Sequence, residues 1–241
     1  MIFLKNKQVL IVDDEVDLRE MLALELKNYQ TTVFEAKNGQ EALNFIKKEN
    51  IDLVISDIRM PGGNGIEFLK KTKAINIKSP QFVFITAYSD ITIEELFALG
   101  AEGIVEKPFD IPELFGLLNW LAMPLPERYA LMPKTKPTIN FKFNQNENSK
   151  NRFAVGRGGA LIPTENTVYE VGSLIGFEII FSSYIKISGI GEINWNNCMN
   201  SSNNYYAGMS FKYFDDSTRK DAIELLTKLN CIEIIPKVSD T

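Results

Sequence analysis

The first 123 residues alternate between two hydrophobic rhythms. Gln8-Val9-Leu10-Ile11-Val12, Thr31 to Ala36, Ile51 to Ser56, Gln81 to Ile85 and Gly103 to Glu106 are short apolar or β-branched runs. Such runs, bounded by turn residues, predict strands buried in a sheet. Between them apolar residues recur at helical spacing: Leu18, Met21, Leu22 and Leu26; Ala42, Leu43 and Ile46; Ile66 and Leu69; then a shorter stretch from Ile91 to Leu99. Asp110 is the predicted N-cap of a last helix, whose apolar face is Leu114, Leu117, Leu118 and Leu121. Five strand–helix alternations predict a parallel sheet covered by helices on both faces.

After Met123 the pattern changes. Pro124, Pro126, Pro133 and Pro137 predict a linker of limited flexibility over 124–137, ahead of a second domain over 138–241. There the period is two. Ile139 to Phe143 alternates apolar and polar residues, and Arg152 to Val155 and Ala160 to Ile162 flank Gly156-Arg157-Gly158-Gly159. Leu174 to Phe181, Tyr184 to Trp195 and Tyr205 to Phe214 are longer strand candidates, and the Asn-rich patch from Asn144 to Asn151 reads as a loop. Regularly spaced short strands predict a compact β-barrel or sandwich. A terminal helix opens near Asp215-Asp216-Ser217, with Ala222, Ile223, Leu226 and Leu229 on its apolar face.

Composition narrows the function. A net charge of −5 and a pI near 5.1, with no basic stripe and no helix-turn-helix pattern, exclude general attraction to DNA or acidic lipid. No apolar run approaches a membrane span, and Met1 to Lys7 lacks the apolar core of a signal peptide. Cys198 and Cys231 stand far apart, which fits a reduced, cytoplasmic setting. The 241 residues contain no histidine, so the chemistry rests on carboxylates, lysine and hydroxyls.

In a parallel sheet all strand carboxyl ends share one edge, where such folds hold their ligands. That edge collects Asp13, Asp14, Asp57, Thr86 and Lys107. Taken singly, each has a bland explanation as a cap, a strand residue or a solvated lysine; their coincidence on one rim does not. Clustered carboxylates are best kept ionised by a divalent cation, and Mg²⁺ suits an oxygen site that also admits phosphate oxygens. Asp57 is then a nucleophile for a phosphoryl group, whose charge Mg²⁺, Lys107 and the Thr86 hydroxyl neutralise.

The Asp-Asp pair, Asp57 followed by Ile58-Arg59-Met60-Pro61-Gly62, Thr86-Ala87 and Lys107-Pro108-Phe109 together resemble the receiver domain of two-component response regulators, from about Lys7 to Met123. The resemblance implies a flavodoxin-like fold of strand order 2-1-3-4-5. It makes Asp57 the phosphoacceptor and assigns Mg²⁺ to Asp13, Asp14 and Asp57 with the Arg59 carbonyl. Thr86 and Lys107 read the phosphoryl group. One departure is Ile104, where receivers carry an aromatic switch residue, so the usual aromatic rotamer signal is lost.

The second half is similar to PilZ domains, small β-barrels that in many proteins bind cyclic di-GMP. The similarity lies in the Gly156–Gly159 turn, Gly191-Glu192-Ile193-Asn194-Trp195 and Ala207-Gly208-Met209-Ser210-Phe211. The ligand motifs depart from that family. Arg128 has Met132 rather than Arg four places on, with Lys134 and Lys136 as weaker substitutes. Ala154 and Gly156 replace the acceptor and hydroxyl of the family's turn, so Arg157 reads more simply as a solvated turn residue than as a residual anion contact.

The sequence therefore predicts a non-enzymatic response regulator. It takes a phosphoryl group from a sensor histidine kinase or phosphotransfer protein and signals to a downstream protein target through a divergent PilZ-like domain. The alternative is a cyclic di-GMP effector using Arg128 and Arg157 in an altered site, although the missing motifs argue against that ligand. A Mg²⁺-dependent phosphatase ranks last, because such enzymes need a second Asp where Arg59 stands. Homodimer formation is left open.

Overall fold

The computed structural model describes residues 2–61, 64–87, 91–137, 139–144, 153–164, 167–181, 185–199 and 204–237. In the first half β1 (Gln8–Val12), β2 (Thr32–Ala36), β3 (Leu53–Ser56), β4 (Gln81–Thr86) and β5 (Gly103–Glu106) alternate with five helices. These are α1 (Val16–Asn28), α2 (Gly39–Lys48), α3 (Gly65–Ile75), α4 (Ile93–Ala98) and α5 (Ile111–Ala122). The strands form one parallel sheet in the order β2-β1-β3-β4-β5, the flavodoxin-like order expected. Its three central strands are covered on both faces, which is why their sequences run apolar without alternation.

One face of the sheet, with Val9, Ile11, Ile55, Val83 and Ile85, packs against Leu22 and Leu26 of α1 and Leu114, Phe115 and Leu118 of α5. Strand period turns Phe82 and Phe84 to the opposite face, where Phe82 packs on Phe68 of α3 at 5.3 Å between ring centroids. Asn38 caps α2 by accepting the Glu41 N–H at 2.9 Å, and Asn64 caps α3 by accepting the Ile66 N–H at 2.7 Å. Asp110 occupies the predicted N-cap of α5 but makes no side-chain capping bond. A buried ion pair also holds this unit: the Lys73 ammonium is 2.9 Å from Glu102 Oε1 and donates to the Pro80 carbonyl at 2.9 Å.

A second compact unit takes in α4 and the chain from Pro124 onward. It contains α6 (Leu125–Arg128), β6 (Ile139–Asn144), β7 (Ala154–Val155), β8 (Gly159–Pro163), β9 (Leu174–Ile180), β10 (Lys186–Met199), β11 (Asn204–Phe214) and α7 (Arg219–Lys228). Among the described residues these strands form an open sheet, order β6-β9-β10-β11-β8-β7, with only β6 and β9 parallel. The stretches Gly191–Trp195 and Ala207–Phe211 pair with each other, Ile193 opposite Met209 and Trp195 opposite Gly208. Gly208 is bare for a reason: a Cβ there would collide with the Trp195 indole.

The expected linker 124–137 begins as folded structure. Pro124 and Pro126 stand at the start of α6, where a missing N–H costs nothing. Arg128 and Tyr129 are buried, and Tyr129 packs on Phe214 at 4.9 Å while its carbonyl accepts the Phe214 N–H at 3.0 Å. Of the expected features, the Gly62-Gly63 turn, Thr138, Gln145 to Arg152 and Tyr184 lie outside the described residues. Among the described residues no helix is long and apolar enough to cross a membrane.

Candidate phosphoryl-transfer site

The carboxyl edge of the parallel sheet brings together residues that are far apart in sequence. Asp13 leaves β1 and is 3% exposed. Its Oδ1 accepts the Glu15 N–H at 2.8 Å, and its carbonyl accepts from Arg19 Nη1 at 2.7 Å. Asp57 leaves β3, anchored by its N–H to the Val12 carbonyl at 2.8 Å. Asp57 Oδ1 accepts the N–H groups of Ile58 at 2.6 Å and Arg59 at 3.3 Å, so the turn after the strand fixes the carboxylate. Thr86 ends β4 and is buried, and its carbonyl accepts the Lys107 N–H at 2.8 Å.

The Lys107 ammonium reaches across this edge. It lies 3.1 Å from Asp13 Oδ2, 3.2 Å from Asp57 Oδ2 and 3.2 Å from Glu15 Oε1. Burial alone would lower the pKa of Lys107. The hydrogen bond to Asp13 and the charges of Asp13 and Asp57 outweigh it, so the pKa is raised and the side chain stays a cation. Burial is also the largest influence on Asp13 and raises its carboxyl pKa above the ordinary range. The Glu15 N–H and Lys107 oppose that rise only in part, and Asp57 adds to it.

Asp13, Asp14 and Asp57 each offer one oxygen, and these three atoms lie within 4.8 Å of one another. A hard cation that takes a few carboxylates and keeps waters and phosphate oxygens as further ligands fits such a donor set. The rim thus combines three convergent carboxylates, one of them held at a strand end, with the Lys107 ammonium.

Thr86 and Lys107 therefore stand at the ends of adjacent strands on the expected edge, and Asp13, Asp14 and Asp57 converge there. Arg59 follows on the loop after β3. Two neighbours were missed by sequence reasoning. Glu15 and Arg19 contact the rim, but a charged residue at the start of a surface helix is too common a signal to single out.

Arg128 and Arg157 are not on this edge. Both lie in the second unit, near the buried Tyr129 hydroxyl. Burial raises the pKa of that hydroxyl, opposed by the charge and hydrogen bond of Arg128 and the charge of Arg157. Arg157 also donates from Nη2 to the Ile232 carbonyl at 3.0 Å. The glycine turn is occupied from within: the Arg157 and Gly158 N–H groups donate to the Glu233 and Ile234 carbonyls at 2.9 and 3.0 Å.

The chain is also similar in sequence to known proteins. Residues 9–119 match the family model of the response regulator receiver domain. Sporulation initiation phosphotransferase F of Bacillus subtilis (strain 168) is 41% identical over 112 residues, which is 45% of this chain and 88% of that protein. Response regulator ArlR of Staphylococcus aureus is 32% identical over 166 residues, covering 68% of this chain and 70% of the relative. Among solved structures, response regulator TrrA from Thermotoga maritima in complex with Mg²⁺-BeF aligns at 36% identity and a TM-score of 0.44. That alignment covers 48% of this chain and 98% of TrrA.

Proposed function

We propose, from the premise that the chain belongs to the response regulator family through its receiver domain, that Asp57 is the phosphoacceptor of a signalling switch. The observation that carries this reading is the Lys107 ammonium bonded to both Asp13 and Asp57 beside three converging carboxylates. An Asp57 oxygen attacks phosphorus, the donor's bond to phosphorus breaks, and the donor leaves with the bonding electron pair. A histidine kinase or phosphotransfer protein is the donor, since this chain has no histidine of its own. Asp13, Asp14 and Asp57, with the Arg59 carbonyl, would hold a Mg²⁺ ion, which would supply charge neutralisation for the phosphoryl oxygens. Lys107 supplies the fixed positive charge, and the Thr86 hydroxyl is the group that meets the phosphoryl. Ile104 offers no aromatic ring to turn, so the usual aromatic rotamer signal is lost.

The second unit is the output, acting by protein contacts rather than turnover. Its β framework supports a PilZ-like reading. A cyclic di-GMP site is disfavoured because Ala154 and Gly156 lack ligand groups and the turn's N–H donors are spent on residues 233 and 234.

Intact-mass measurement after treatment with acetyl phosphate and Mg²⁺ tests the switch. The wild type is expected to gain one phosphoryl group; Asp57→Asn, or the wild type in excess chelator, is expected to gain none. Equal labelling of Asp57→Asn would remove the assignment. Calorimetry of the same protein with cyclic di-GMP is expected to give no saturable heat, and a submicromolar affinity abolished by Arg157→Ala would restore the alternative.

A further inference from the structure

Glu15 occupies the N-cap position of α1, where Ser, Thr, Asp or Asn normally bonds back to a helix N–H. Its side chain makes no such bond. It is directed to the Lys107 ammonium instead, at 3.2 Å. Yet its carboxylate is not among the three whose oxygens converge as a candidate cation site. The Glu15 side chain therefore serves neither the helix end nor the carboxylate cluster.

An ammonium group has three N–H donors. Asp13, Asp57 and Glu15 each stand within hydrogen-bond distance of Lys107, so all three are engaged. A phosphoryl group arriving on Asp57 needs one of them, and one carboxylate must let go. The three differ in burial: side-chain exposure is 4% for Asp13, 12% for Asp57 and 65% for Glu15. An exposed ion pair is weak because water replaces the partner readily, whereas a buried carboxylate left without its cation is strongly disfavoured. Glu15 is the partner that yields.

We propose that Glu15 is a positioning residue for phosphoryl transfer. It is a releasable third carboxylate that steadies Lys107 before the reaction and slows the approach of anionic donors to Asp57. This rests on Asp57 being the phosphoacceptor. In the step concerned, an Asp57 oxygen forms a bond to the phosphorus of acetyl phosphate, and the phosphorus–oxygen bond to the acetyl group breaks. Acetate departs with that electron pair. As the new phosphoryl oxygens take charge, one Lys107 N–H passes from Glu15 to one of them. Glu15 opposes the step twice, by holding the donor N–H and by placing a negative charge beside the incoming anion.

The test measures the rate of Asp57 phosphorylation in the full-length protein at saturating Mg²⁺, for the wild type, Glu15→Gln and Glu15→Ala. The donors are acetyl phosphate and the less negatively charged phosphoramidate. Both variants are expected to react about three to ten times faster with acetyl phosphate, with a smaller gain for phosphoramidate, as removal of a nearby like charge requires. The gain should shrink as salt is raised. Mg²⁺ affinity by calorimetry is expected to fall by no more than about the same three- to tenfold, the through-space effect of one lost charge, because Glu15 lies outside the convergent set. Unchanged rates would overturn the proposal, as would equal gains for both donors at every salt concentration. Slower reaction with weakened Mg²⁺ binding would also overturn it, by making Glu15 part of the cation site. Any of these results with Asp57 still labelled leaves the phosphoacceptor reading intact. Labelling of Asp57→Asn at the wild-type rate would remove both.

Discussion

Glu102→Ala is expected to cost the first unit about 3–5 kcal/mol, because it removes one partner of a buried ion pair. Lys73 and Glu102 have side-chain exposures of 1% and 6%, so water cannot replace either partner. Glu102 holds more than the ammonium: its Oε2 accepts the Phe82 N–H at 2.5 Å, and its N–H donates to the Phe82 carbonyl at 2.8 Å. Truncation would take the Glu102 carboxylate away from the ammonium and leave the Phe82 N–H without its acceptor on Glu102. The pair is not indispensable as a pair. Lys73→Met with Glu102→Gln removes both charges and keeps an acceptor for Phe82, so the double variant should fall within about 2 kcal/mol of the wild type. Urea unfolding in a Trp195→Phe background, followed by the fluorescence of Trp120, which lies in α5, compares the two. A Glu102→Ala protein as stable as the wild type would mean that this pair is not buried in solution.

Trp195→Ala is expected to cost the second unit about 3–5 kcal/mol, the usual loss for emptying a buried aromatic site. Trp195 is 6% exposed and covers the space that Gly208 leaves on the neighbouring strand. With the indole gone, two adjacent positions on one face of β10 and β11 would lack packing atoms. The register of the two strands already shifts between Ile193 and Trp195, so this stretch has little regular ladder to fall back on. The complementary change, Gly208→Ala, crowds the ring and should cost about 1–3 kcal/mol as an overpacked site does. In a Trp120→Phe background, Trp195 fluorescence should shift to the red with Gly208→Ala. Unchanged emission together with unchanged stability would show that the ring does not rest on Gly208.

The rim at the sheet edge was legible because topology does the gathering. Once five strands are read as parallel, their carboxyl ends must share an edge, and Asp13, Asp57, Thr86 and Lys107 follow without any knowledge of side-chain packing. The pairing of Gly191–Trp195 with Ala207–Phe211 was half legible: both motifs stood out, but not that one indole fills the gap left by one glycine. The burial of Tyr129 and Arg128 was hidden because proline serves both a linker and the first turn of a helix, and composition cannot separate the two. Arg157 read as a solvated turn residue for a different reason. Its partner carbonyl belongs to Ile232, 75 positions away, and no local pattern reports a contact of that separation.

That separation also bears on the order in which the molecule can be made. All five strands of the receiver sheet have been synthesised once Glu106 is added. The turn at Gly156–Gly159 must wait for Glu233 and Ile234 to supply its acceptors, and for the fully buried Ile235 to pack beside Gly159. A chain emerging from the ribosome therefore carries this turn with open amides, near strands still gathering partners, until synthesis has passed residue 235. Domains fold as units in the order they are made, and unfinished sheets are where aggregation starts. A ribosome stalled before residues 233 to 235 have emerged would display a completed receiver sheet and a glycine turn whose amides cannot yet be satisfied, which makes that interval of translation the vulnerable one.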